Sequence, residues 1–179
     1  FVIGSVGRIA PEKSFDKLLY NIKDMIKVNT NIKVLLVGGG PDLDNLKELT
    51  KKLNLENYVI FTDKIDYDLV PTYFNIFNVV VSFSKTETQG LTIIEGLAAS
   101  KPTLCIEDDS FRAMIEPNYN GYLFKNDTEF KDYIFKLMNA QKLYKDMSTN
   151  ARNSTYKYSK EVFASDILKV YHKAIENKH

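Results

Sequence analysis

Apolar residues in this chain fall into short β-branched runs, and most runs lead into segments whose apolar positions recur every three or four residues. Val2–Val6 reads as a strand. Phe15, Leu18, Leu19, Ile22 and Ile26 then follow helical spacing, with Ser14 as the N-cap. Ile32–Val37 is a near-continuous apolar run that ends at Gly38-Gly39-Gly40-Pro41, and a helix around Leu43–Leu53 follows. The pattern next predicts a short strand at Val59–Phe61, a short helix near Leu69–Phe74 and a strand at Val79–Phe83. A helix from about Thr92 carries Leu91, Ile94, Glu95, Ala98 and Ala99 and stops before Lys101-Pro102. Strands at Thr103–Ile106 and Tyr122–Phe124 come next. Helices near Glu129–Met138, Lys142–Tyr158 and Lys160–Asn177 close the chain.

Strands that are apolar on both sides, alternating with helices, predict an α/β fold: a parallel sheet covered by helices on both faces. Ligands on such sheets bind at the carboxyl ends of the strands. There is no internal repeat, and the natural count is one domain over residues 1–179. In the last helix Phe163, Ile167, Val170, Tyr171 and Ala174 form an apolar stripe, for which core packing is the default expectation and docking onto a further domain the alternative. The chain opens directly in a strand without Met, as expected of a piece of a longer protein.

Composition narrows the functions. A net charge of +1 argues against a general nucleic-acid partner. Only Arg8, Arg112 and Arg152 are arginines among 24 basic residues, so an arginine beside a loop glycine stands out. Cys105 sits in an apolar run and reads as a buried strand thiol. The two histidines, His172 and His179, lie at the end of the chain, which leaves no Ser-His-Asp arrangement and no Cys/His metal spacing. No apolar stretch approaches the roughly 18 residues needed to cross a bilayer.

The chemistry concentrates in two strand-ending loops. In Ser84-Lys85-Thr86-Glu87-Thr88-Gln89-Gly90-Leu91-Thr92-Ile93-Ile94-Glu95 a strand passes through a polar turn straight into a helix. Free N–H groups around Gly90, Leu91 and Thr92 suit an anion, with Glu87 in the turn and Glu95 one turn into the helix. The other loop, Gly7-Arg8-Ile9-Ala10-Pro11-Glu12-Lys13-Ser14, offers a fork of guanidinium donors and a mobile ammonium. If strands one and four are neighbours, this cationic pair faces the Gly90 site; the alternative is a surface arginine in a salt bridge. The Gly38–Pro41 turn would let a ligand approach but carries no phosphate-loop motif. Asp66-Tyr67-Asp68 precedes a helix, and capping explains it better than a metal. Glu107-Asp108-Asp109 forms a second acidic cluster whose role stays open.

Taken together, these residues resemble the carboxyl-terminal, donor-binding domain of the retaining glycosyltransferases of family 4, whose fold is called GT-B. The resemblance rests on Gly7-Arg8 with Lys13, the Gly38–Pro41 turn and Phe61 with the loop to Ile65. It continues through Ser84, Glu87, Gly90, Leu91 and Glu95, then Lys101-Pro102 and Asn120-Gly121-Tyr122-Leu123, and covers essentially the whole chain. It implies a Rossmann-like donor domain that binds a nucleoside-diphosphate sugar, UDP-glucose being favoured, without metal or other cofactor. Arg8 and Lys13 would hold the diphosphate and the backbone at Gly90, Leu91 and Thr92 would add donors. Glu87 would contact the transferred sugar, making Glu87, Arg8 and Lys13 the catalytic set, and Glu95 would contact the ribose. The loop from Phe61 to Ile65, with Asp63, Lys64 and Ile65, would line the base, and Thr88 and Gln89 would also contact the donor.

Three departures stand out. Ser14 and Asp63 occupy positions where the family usually has glycine, and Thr88-Gln89 replaces commoner apolar or aromatic residues. The Glu-Thr-Gln-Gly-Leu-Thr form is most similar to bacterial diacylglycerol glucosyltransferases and related cell-surface enzymes. That likeness implies a missing acceptor domain and a parent acting in the cytoplasm, with the inner face of the plasma membrane as the site of peripheral attachment. Two alternatives remain: a non-catalytic glycosyltransferase-like partner subunit, and a dinucleotide oxidoreductase domain, for which Gly7-Arg8-Ile9 lacks the glycine fingerprint.

Overall fold

The structure is a computed structural model that describes residues 1–85, 87 and 89–176. Among them, strands β1 (Val2–Val6), β2 (Lys33–Val37), β3 (Val59–Phe61), β4 (Val79–Ser82), β5 (Thr103–Ile106) and β6 (Gly121–Phe124) form one wholly parallel sheet. The order is β3-β2-β1-β4-β5-β6. β1 is flanked by β2 and β4, with Ile3 opposite Val79 and Gly4 opposite Val80. Strand order reverses between β1 and β4, and their carboxyl ends open the crevice where doubly wound sheets take ligands.

The helices are α1 (Phe15–Met25), α2 (Leu43–Lys52), α3 (Val70–Ile76), α4 (Leu91–Ala98), α5 (Asp109–Arg112), α6 (Asp127–Asn139), α7 (Gln141–Ser154) and α8 (Lys160–Glu176). Right-handed crossovers between parallel strands put α1 and α2 on one face and α3 and α4 on the other. Accordingly α1 packs beside α2, and α3 beside α4. Leu18, Leu19, Ile22 and Met25 of α1 are fully buried against the sheet, as are Ile3, Val34 and Leu36 beneath them. Toward the β6 edge Phe83, Phe124 and Phe130 close on one another with ring centroids 4.8–5.1 Å apart, tying the end of β4 to β6 and α6, which packs against α1.

Most expected elements form within a residue or two of their predicted bounds, and four details differ. Ser14 stands at the start of α1 in a left-handed conformation (φ 52°, ψ 40°) and its side chain makes no cap bond. A capping side chain needs an extended backbone. Here a 3-10 turn, Pro11–Lys13, runs straight into the helix through Ser14, whose N–H donates to the Pro11 carbonyl at 3.0 Å. Asp66 likewise occupies a cap position without a side-chain bond, although its backbone is extended and its carbonyl accepts from Leu69 N–H at 3.0 Å. The predicted Lys142–Tyr158 helix stops at Ser154 and continues as a 3-10 turn, Tyr156–Tyr158.

The stripe on α8 is the fourth. No described residue of this helix is buried, and Phe163, Val170, Tyr171 and Ile175 are 62–66% exposed. The core packing expected for the stripe does not occur, since the helix packs on the Tyr156–Tyr158 turn rather than on the sheet. Its expected last residue, Asn177, and the terminal His179 lie outside the described residues.

Candidate functional site at the carboxyl edge of the sheet

Both loops singled out in the sequence rise from adjacent strands. After β1, Gly7 N–H donates to the Val37 carbonyl at 2.9 Å and Ile9 N–H to Gly39 at 3.0 Å, so the β1 loop leans on the glycine turn that follows β2. Gly38 has φ 132°, and a Cβ built on it would lie 2.1 Å from the Gly7 carbonyl oxygen; only glycine fits this close approach. Lys13, ending the 3-10 turn, reaches across to the loop after β4: its Nζ donates to Glu87 Oε2 at 2.7 Å. Both side chains are mostly enclosed, 26% and 18% exposed. Arg8 is open to solvent and only loosely paired, its Nη1 3.8 Å from Glu12 Oε1. Such a contact contributes almost nothing to stability and leaves the guanidinium available to a ligand.

Gly90 starts α4 in the left-handed region (φ 61°, ψ 28°), and a Cβ there would meet Met114 Cε at 2.3 Å. Its carbonyl accepts from the N–H groups of Ile93 and Ile94, so the helical ladder begins there and the N–H groups of Leu91 and Thr92 stand ahead of it. One turn further on, Glu95 Oε1 accepts a 2.9 Å hydrogen bond from the Tyr67 hydroxyl. That bond and the glutamate's charge raise the Tyr67 hydroxyl above the ordinary phenol value.

Two hollows meet along this edge. The first is lined by Gly7, Arg8, Lys13, Ser82, Glu87 and Thr92. The second, an open cleft of about 280 Å³, is bounded by Arg8, Gly39, Lys64, Ile65, Thr92 and Glu95. Arg8 and Thr92 border both. A carboxylate with an ammonium thus sits at one end, a carboxylate with an apolar wall at the other, and cationic and N–H donors lie between them.

Of the residues predicted to bind a donor, Arg8, Lys13, Lys64, Ile65, Glu87, Thr92 and Glu95 line these hollows. Gly90 is buried at the helix start, while Gln89 and Leu91 are exposed beside it. Asp63 turns to α2, its carboxylate 3.0 Å from Lys47 Nζ, and is not among the lining residues. Thr88 lies outside the described residues, as does Thr86. Tyr67 and Val70 also line the cleft and were not anticipated; the only signal for Tyr67 was an aromatic residue between two aspartates.

The remaining chemistry resolves into structure. Asp108 caps α5, accepting from Ser110 N–H at 3.0 Å and Ser110 Oγ at 2.7 Å, and these bonds hold its carboxyl below the usual range. Glu107 and Asp109 pair with Arg112 at 3.2 and 3.1 Å. Cys105 is fully buried, and burial first, then the Glu87 charge, push its thiol well above the ordinary value. Among the described residues no three His, Cys, Asp or Glu side chains gather as a metal-binding group.

Residues 1–154 match the model of the family described as glycosyl transferases group 1. The alpha-monoglucosyldiacylglycerol synthase of Acholeplasma laidlawii is 33% identical over 171 residues, 96% of this chain and 43% of that protein. TarM of Staphylococcus aureus, solved with UDP, alpha-GlcNAc-glycerol and fondaparinux, superposes with a TM-score of 0.87 at 27% identity, covering 95% of this chain and 35% of that one. The C-terminal domain of the group 1 family protein LpcC from Francisella tularensis matches at a TM-score of 0.80 and 25% identity, over 89% of this chain and 87% of that domain. The chain therefore spans less than half the length of the Acholeplasma protein it matches.

Proposed function

This chain belongs to the glycosyl transferases of group 1, and we propose that it is the donor-binding domain of a two-domain retaining hexosyltransferase. The observation that carries the reading is the order of the two hollows. Ile65 and Glu95, then Arg8 and Thr92, then Lys13 and Glu87 follow the order nucleoside, diphosphate, sugar. Glu95 takes the ribose hydroxyls and Ile65 the base. Arg8, Lys13 and the α4 amino end hold the diphosphate, and Glu87 takes hydroxyls of the transferred hexose.

As the bond between the anomeric carbon and the diphosphate oxygen breaks, its electron pair leaves on the diphosphate, while an acceptor hydroxyl oxygen bonds the same carbon and its proton passes to the departing diphosphate. Arg8, Lys13 and the N–H groups of Leu91 and Thr92 oppose that growing charge, so this chain's own groups supply the stabilisation and the reading assigns no divalent ion. The transferred group proposed is glucose from UDP-glucose, and the acceptor diacylglycerol or a cell-surface glycan. The names of the Acholeplasma relative and of the UDP-bound TarM support that choice. No described helix is long and apolar enough to cross a membrane. A lipid acceptor places the parent protein peripherally at the inner face of the plasma membrane.

Calorimetric titration of the chain with UDP, GDP and NAD, with and without EDTA, tests the reading. UDP should bind saturably, EDTA should leave binding unchanged, and Arg8→Ala should weaken it. Preference for GDP would replace the donor base, and binding of NAD alone would overturn the donor-domain reading in favour of a dinucleotide site. Hexose transfer by the intact protein, lost on Glu87→Ala, separates an enzyme from a non-catalytic partner subunit.

A further inference from the structure

Tyr67 stands between two hollows. It borders the cleft that contains Ile65 and Glu95, and also an apolar groove lined by Val70, Pro71, Phe74, Ala98 and Ala99. Glu95 borders both as well, so its flexible carboxylate has two environments within reach. The Tyr67 hydroxyl, 2.9 Å from Glu95 Oε1, selects one arrangement. The phenol itself is placed by a 3-10 turn, Tyr67–Leu69, whose backbone bonds run from Leu69 N–H to the Asp66 carbonyl and from Val70 N–H to the Tyr67 carbonyl. Tyr67 is 75% exposed, so its ring does little for the core. What the turn does hold in place is a hydroxyl donor aimed at a carboxylate.

We propose that Tyr67 is a positioning residue for ribose recognition, its hydroxyl fixing Glu95 so that the remaining carboxylate lone pairs meet the two ribose hydroxyls of the nucleotide. A carboxylate offers about four acceptor positions, so one bond to tyrosine leaves room for a diol. Pre-ordering the side chain removes part of the entropy cost of binding. This inference rests on the donor-site reading above, in which Glu95 faces the ribose.

The test compares UDP with dideoxyuridine diphosphate, which lacks both ribose hydroxyls, by calorimetry on the 179-residue chain. Tyr67→Phe should raise the Kd for UDP about three- to tenfold, the range of one typical net hydrogen bond. It should leave the dideoxy nucleotide within about twofold, and in a Glu95→Ala background it should change neither. Equal weakening of both nucleotides, or of neither, overturns the positioning role. A wild-type chain that binds both nucleotides equally removes the Glu95–ribose contact itself, and the inference falls with it; a chain that binds neither overturns the donor-site reading first.

Discussion

Lys13 Nζ lies 2.7 Å from Glu87 Oε2, an ion pair between two loops 74 residues apart in sequence. It forms because β1 and β4 are neighbours in the sheet, and it holds the cation and the carboxylate of the site against each other before any ligand arrives. A diphosphate draws on Lys13 and a sugar hydroxyl on Glu87, so a donor occupying both hollows redistributes a bond that already exists. The pair is mostly enclosed, which makes it worth on the order of 1 kcal/mol, more than an exposed contact.

Glu87→Gln should therefore split the ligand. UDP, which has no hexose to contact, should bind as well as before or slightly better, because Lys13 loses a competing anion. UDP-glucose should bind about tenfold more weakly, the size of one lost charged hydrogen bond. Parallel titrations with the two ligands read both changes, and equal losses would place Glu87 away from the sugar.

Gly90→Ala should destabilise the fold by about 1–2 kcal/mol through its left-handed backbone alone, with the collision against Met114 Cε added. In a Met114→Ala background, where the cavity left by that buried side chain is common to both chains, Gly90→Ala should cost the backbone part alone. Urea midpoints of the single and double variants at unchanged slope check this. UDP affinity should fall with Gly90→Ala, since the N–H groups of Leu91 and Thr92 take their direction from that residue.

Ser14→Gly should stabilise the chain. Relief of a left-handed serine is worth about 1–2 kcal/mol, less about 0.5–1 kcal/mol for the looser unfolded chain. The difference, at most about 1.5 kcal/mol, makes a rise in Tm of up to about 6 °C the expected readout, with Ser14→Ala showing none.

Asp108 should make stability depend on acidity. Its hydrogen bonds from Ser110 lower the folded carboxyl below the unfolded value near 3.8. The unfolded chain therefore takes up the proton first, and the contribution is complete above that value and lost as pH falls through the folded one. Asp108→Ala should cost stability at pH 7, and the difference from wild type should shrink in denaturant melts at pH 3.

The sheet was legible because its strands are buried on both sides, so runs such as Val79–Val81 and Leu104–Ile106 need no partner to be recognised. The site was legible where a residue type is rare for its setting, as with Arg8 beside Gly7 or Gly90 between two glutamates. Contacts between distant loops were not. Nothing local ties Tyr67 to Glu95 or Asp63 to Lys47, since those meetings depend on how loops from separate strands are aimed. Glycine-preferring conformations were half visible: Ser14 and Asp63 stood out as departures from the family pattern, and their φ values of 52° and 61° supply the reason. The α8 stripe misled because periodicity reports which face of a helix is apolar, not whether anything in the chain covers that face.

That uncovered helix divides the molecule into two thermodynamic compartments. A helix of 17 residues with no buried side chain keeps little more than its own propensity, which is marginal in water at this length. Its amides can exchange through local fraying while those of β1, β4 and α1 wait for the whole sheet to open. Heat or denaturant should accordingly erase part of the helical signal before the nucleotide cleft is disturbed, so ligand binding and helix content will report different transitions.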